Sequence, residues 1–107
     1  MNRQLVSAIK HKVVLRFVYN GRRRVVEPQT YGRSPTGKEV LRARQIGGSS
    51  QSGESRIAKL FEVEKFSELQ KTTRHFNEAL PEHNPDDSAM TEIFATLPRP
   101  KRSRRKK

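Results

Sequence analysis

The chain contains no cysteine among its 107 residues. Disulfides, thiolate metal sites and thiol nucleophiles are therefore excluded, and stability has to come from packing. Long hydrophobic runs are missing too: no stretch approaches the roughly 20 apolar residues a spanning helix needs. The opening MNRQLVSAIKHK also lacks the continuous apolar segment and small-residue cleavage site of a secretory signal. A soluble, cytoplasmic protein with no membrane partner is expected. Acidic residues are few, 11 against 23 Lys and Arg, leaving a formal net charge of +12. Such an excess attracts polyanions over long range, nucleic acid first among them. A chain of this length has room for one small domain with tails.

Catalytic motifs are absent as well. His11, His75 and His83 stand in no HExxH or HxH arrangement, no serine lies in GxSxG, and no GxxxxGK[ST] loop is present. Gly32 to Lys38, GRSPTGK, resembles a phosphate loop superficially, but Glu39 follows the lysine where Ser or Thr is required, and a β-turn is the better reading. Glu62, Glu64 and Glu68 read as a solvated face rather than a glycosidase-like carboxylate pair. No enzyme activity, metal site or cofactor is expected.

What the chain does have is charge arranged in blocks. Met1 to Arg44 holds 11 basic and 2 acidic residues, Gln45 to Pro98 holds 5 and 9, and Arg99 to Lys107 holds 7 and none. The first block is not a solvated tail, because its cations are interleaved with apolar residues at structural periods. Leu5, Ala8 and Ile9 follow Asn2 at helical spacing, predicting a short capped helix. Val13, Leu15, Phe17 and Tyr19 alternate with Val14, Arg16, Val18 and Asn20, the period of a strand with one buried face. Asn20-Gly21 supplies a tight hairpin turn, and a second strand resumes through Val26 until Glu27-Pro28 ends or bends it. After a turn at Ser34 to Gly37 the alternation returns, with Leu41 and Ala43 on one face and Val40, Arg42, Arg44 and Ile46 on the other. Gly47 to Ser55 reads as a loop, IAKLFEV as a fourth strand, and FSELQKTTRHF as either a helical turn or a fifth strand.

These elements predict a mainly β fold: a small five-stranded barrel of the Sm-like/SH3 type with an N-terminal helix. The expected organisation is a barrel domain over 1–77, a loop and short amphipathic C-terminal helix over 78–98, and a disordered basic tail over 99–107. In that helix Asp86, Asp87 or Ser88 would cap a turn carrying Met90, Ile93, Phe94 and Leu97.

Six arginines, Arg22, Arg23, Arg24, Arg33, Arg42 and Arg44, come from what should be adjacent strands. Arginine favours planar, bidentate contact with phosphate. Tyr31 and Gln29 lie among them as a stacking ring and an amide reader, the combination that surfaces for single-stranded nucleic acid use. Arg24, Arg33, Arg42 and Arg44 are expected to share one surface. Lys101, Arg102, Arg104, Arg105, Lys106 and Lys107 in the tail would add phosphate contacts without sequence preference.

The order of motifs from LVSAIKHKVVLRFVYNG through RVVEP, TYG and VLRAR to IAKLFEV resembles a WYL domain, specifically its short stand-alone members, over Leu5 to Phe76. The resemblance rests most on Arg24, Val26, Glu27, Pro28, Tyr31, Gly32, Leu41 and Ala43. It departs where Glu39-Val40-Leu41 stands for Trp-Tyr-Leu and where Gln29 stands for a histidine. It implies an Sm-like barrel that binds a nucleotide or single-stranded nucleic acid and tunes bacterial transcription or phage defence. The ligand-facing positions it implies are Arg24, Gln29, Tyr31, Arg33, Arg42, Arg44 and Lys59. Met1 to Leu15 cannot house a helix-turn-helix, so a self-contained major-groove reader is not expected. The alternative is a protein-interaction or accessory subunit of such a regulator, binding no nucleic acid itself and pairing with a partner or a second copy through the Met90 to Leu97 helix.

Overall fold

The structure is a computed structural model and describes residues 1–48 and 57–100. The tail cations from Lys101 onward, and positions 49–55 of the Gly/Ser-rich stretch, lie outside the described residues.

Helix α1 spans Arg3–His11. Asn2 caps it, its side-chain oxygen accepting from the N–H groups of Gln4 (2.8 Å) and Leu5 (3.3 Å). Lys12 ends it in the left-handed conformation, and Leu5, Ala8 and Ile9 are buried. Strand β1, Val13–Tyr19, turns into β2, Arg22–Arg33, through Asn20 and Gly21, both at positive φ (52° and 73°), as a tight hairpin requires. Strands β3 (Glu39–Gly48) and β4 (Ala58–Glu62) follow. A 3-10 turn over Val63–Lys65 leads into β5, Ser67–His75, so the ambiguous FSELQKTTRHF segment is a strand.

The sheet is antiparallel in the order β4-β3-β2-β1-β5. It is strongly curved. Flat strands about 4.8 Å apart would leave β4 some 14 Å from β1. Instead the Phe61 ring of β4 meets the β1 rings of Phe17 and Tyr19 edge-on, at 5.4 and 5.0 Å. The Tyr19 hydroxyl also accepts from the Glu62 N–H at 3.1 Å. Phe66 stacks on Phe17 at 4.0 Å, and around these rings lie Leu15, Val26, Leu41 and Ala43 with the buried side of α1. Among the described residues no helix is long and apolar enough to cross a membrane.

Two expectations are corrected and one alternative is decided. Among the described residues there are six strands, not five. Of an end or a bend at Glu27-Pro28, β2 does not end: Pro28 lies within the strand beside a register shift in the β2–β3 pairing, where a missing N–H costs little. The C-terminal amphipathic helix is not formed: Glu92–Thr96 is strand β6, paired antiparallel with Thr30 to Arg33 of β2. The edge of β2 beyond Val26 is left open by β1, and its unpaired N–H and C=O groups attract an extended segment. Ile93, Phe94 and Thr96 suit a strand better than a helix too short to nucleate alone. The Thr91 N–H donates to the Arg33 carbonyl (2.8 Å) and the Leu97 N–H to that of Gln29 (2.9 Å), while Asp87 closes only a turn, through Met90 and Ala89. Met90 and Leu97 are therefore buried.

Gly32 carries the close approach of β6, because a Cβ there would overlap the Glu92 carbonyl oxygen and the Met90 sulfur. Gly32→Ala is expected to destabilise the protein by about 1–3 kcal/mol. In hydrogen exchange the Leu97 amide should open before those of β1. An unchanged urea midpoint would show that β6 is not held in this way.

Candidate nucleic-acid interface

Alternation along β2 and β3 decides where each basic side chain goes. Arg42 and Arg44 lie opposite Thr30 and Glu27 on the outer face of the sheet. Arg24 and Arg33 share the inner face of β2 with Val26 and Tyr31, but they sit at opposite ends of the strand, nine residues or roughly 30 Å of chain apart. The four arginines therefore do not share one surface.

Most of the predicted site is occupied by the protein itself. Tyr31 is wholly buried: its hydroxyl accepts from the Asn2 N–H at 2.6 Å and donates to Glu39, and its ring packs on Phe94. Burial, then the Glu39 contact, pushes its pKa up to about 12, while the same hydrogen bond holds the Glu39 carboxyl below its usual range. It is a core anchor and cannot stack on a base. Gln29 is buried too, its amide nitrogen donating to the Glu27 carbonyl (3.1 Å) and its oxygen accepting from the Leu80 N–H (2.9 Å). Arg42 makes a two-point pair with Asp87 at 2.8 and 3.1 Å, Arg33 meets Glu92 at 3.3 Å and lies over the Phe94 ring, and Arg44 is 3.7 Å from Glu27. Arg24 leans over the Tyr19 and Phe61 rings and donates to Gln45 and to the Tyr19 carbonyl. Lys59 is exposed on β4 opposite Ala43.

A basic groove of about 800 Å³ lies over β5, β1 and β2, lined by Arg16, Val18, Arg23, Val25, Glu68 and Gln70, with Arg24 at one margin. Pairing brings these side chains to the outer face: Arg16 lies between Val25 and Gln70, and Val18 beside Arg23. The half-buried valines form a floor, with exposed Arg16 and Arg23 above it. The Arg16 Nε donates to the Gln70 side chain at 2.8 Å, which holds its guanidinium at the rim. At Glu68 a bulge, marked by a positive φ of 53° and a register shift between Arg16 and Val18, bends β5 beside the groove. Arg16 was passed over as a site residue, although the alternation that buries Leu15 and Phe17 already turns it outward.

A smaller cleft of about 260 Å³ lies between β3 and the C-terminal segment, lined by Gln29, Arg42, Ile57, Leu80, His83 and Asp87. Its His83 Nε2–H donates to the Leu97 carbonyl at 2.7 Å, and its Arg42 is held by Asp87. It reads as a joint between the C-terminal segment and the sheet.

The chain matches no family model, no curated protein and no solved structure.

Burial, the strongest influence on Asp87, pushes its carboxyl upward, but the Arg42 contacts and the Ala89 N–H outweigh it and hold the group below its usual range. A carboxyl lowered on folding stabilises the native state above the unfolded value near 3.9, and that contribution disappears as pH falls through the folded value. Asp87→Asn should lower the melting temperature at neutral pH and flatten its decline below about pH 4. A variant that melts in parallel with the parent at every pH would remove this role.

Proposed function

We propose that the protein is a non-enzymatic binding module that takes single-stranded nucleic acid in the groove over β5, β1 and β2. One observation carries the reading. Arg16 and Arg23 are exposed over a floor of half-buried valines, with Gln70 and Glu68 beside them, whereas Gln29 and Tyr31 of the predicted site are wholly buried. Guanidinium planes at a rim bind phosphate and stack on bases, and a floor of half-buried valines accepts the faces of sugars and bases. The cationic tail adds attraction that does not depend on sequence.

The resemblance to a WYL domain supports a regulatory role, and the finer fold reading goes with it. An N-terminal helix, five curved antiparallel strands and a 3-10 turn before the fifth agree with an Sm-like barrel, to which β6 is an addition. On this reading the ligand face differs from the one the resemblance implies, since it uses Arg16 and Arg23 rather than Gln29 and Tyr31.

A second reading, an accessory subunit that docks on another protein, is favoured by a different observation. Ile57 and Leu60 are 62% and 40% exposed beside and on edge strand β4. A strict monomer in light scattering that binds oligonucleotides argues against it.

Fluorescence anisotropy of a labelled oligothymidine across a salt series tests the leading reading. Arg16→Ala with Arg23→Ala should weaken binding and reduce the steepness of its salt dependence by about 0.7 per lost phosphate contact. Arg42→Ala with Arg44→Ala should change binding little. The opposite ranking sinks the assignment.

A further inference from the structure

Helix α1 and strand β5 lie side by side. The Lys71 Nζ donates to the Ser7 hydroxyl at 3.2 Å, the Phe76 N–H donates to the Lys12 carbonyl at 3.0 Å, and Val13 is paired with His75. This packing gathers exposed Arg3, Lys10 and His11 from the helix with exposed Lys71, Arg74 and His75 from the strand. No acidic residue occurs in 1–26 or in 69–77. Among the described residues none of Arg3, Lys10, Lys71 and Arg74 is paired with a carboxylate, in contrast to Arg33, Arg42 and Arg44. Lys10 and His11 offset the negative end of the helix dipole. That role does not extend to Lys71 and Arg74, which belong to a strand.

The rim adjoins the groove. On β5, Gln70 faces the groove beside Arg16, and the next residue, Lys71, turns to the helix side. Among the described residues β5 pairs only with β1, so no further strand separates the two basic surfaces at that edge. The strand from Ser67 to His75 spans about 26 Å.

We propose that the α1–β5 rim, centred on Lys10, Lys71 and Arg74, is a second phosphate-backbone contact that continues the groove, making the ligand a single-stranded oligonucleotide rather than a mononucleotide. The inference rests on the groove reading and adds the length of the ligand to it. A strand leaving the groove past Gln70 meets Lys71, then Arg74 and Lys10, and these cations hold its backbone without reading its bases. A ligand too short to extend past Gln70 does not reach these cations, so short ligands gain nothing from the rim.

The test uses the full chain and two labelled oligothymidines, of about 4 and about 16 nucleotides, a span typical of one small β-barrel site. The parent should bind the longer one more tightly. Lys10→Ala, Lys71→Ala and Arg74→Ala combined should remove most of that advantage and lower the salt slope for the longer ligand by about 2, leaving the shorter one unaffected. All three side chains are exposed, and the charge-keeping variant Lys10→Arg, Lys71→Arg, Arg74→Lys should restore the parent behaviour. The inference is overturned if the alanine variant keeps the length advantage while Arg16→Ala with Arg23→Ala weakens both ligands; the groove reading then survives alone. If the groove variant changes neither ligand, both readings fail. Loss of binding to vesicles containing anionic lipid, with oligothymidine binding intact, would also overturn it, in favour of a membrane surface.

Discussion

Strand β2 bonds along one edge to two different strands, β1 as far as Val26 and β6 from Thr30 onward, and most other features of the molecule follow from that division. The hand-over falls at Pro28, whose missing N–H interrupts a ladder with least cost where pairing is being exchanged anyway. With β1 curving away, the far half of β2 would be an exposed edge, and β6 covers it. In arriving there, the segment before β6 is laid across β3 and the ends of β2. The chain from 77 to 98, β6 included, holds five acidic residues and no lysine or arginine. Asp87 and Glu92 are thereby set against Arg42 and Arg33, and backbone pairing rather than charge decides which cations are neutralised.

The same arrangement divides the basic surface into two kinds. Arginines under the C-terminal segment are structural: Arg42 is held at two points by a nearly buried carboxylate, and Arg33 lies between Glu92 and the Phe94 ring. Leaving Asp87 buried without Arg42 would strand a charge, so the pair keeps the segment closed more than it adds to net stability. Among the described residues the cations on α1, β1 and β5 have no such cover, and they are exposed. Tyr31 belongs to the structural group, since its hydroxyl links the Asn2 cap of α1 to Glu39 of β3 and so fastens the helix over the core.

Much of the fold was legible because its determinants are local. Asn2 before Leu5, the alternation from Val13 to Tyr19 and the Asn20-Gly21 turn each act through residues a few positions away, and each forms as its pattern requires. The 92–96 segment was misread because Met90, Ile93, Phe94 and Leu97 fit a helical period, while the open edge of β2 that selects a strand lies about 60 residues earlier. The site was misread for a related reason. Counting cations from Arg22 to Arg44 cannot reveal which of them meet Asp87 or Glu92, 45 and 59 residues further along. Nor can it reveal that Gln29 and Tyr31, polar in isolation, spend their hydrogen bonds inside the protein.

By itself, then, the sequence determined a cysteine-free, strongly basic β protein with a capped leading helix, a tight hairpin and outward arginines on alternating strands. Composition, period and turn chemistry suffice for these. Tertiary structure alone decided that β2 carries two partners on one edge, that an acidic segment covers Arg33 and Arg42, and that the exposed cations of α1, β1 and β5 lie away from that segment. Charge attracts at a distance, but which charges remain available depends on which backbone groups still need partners after the sheet has curved.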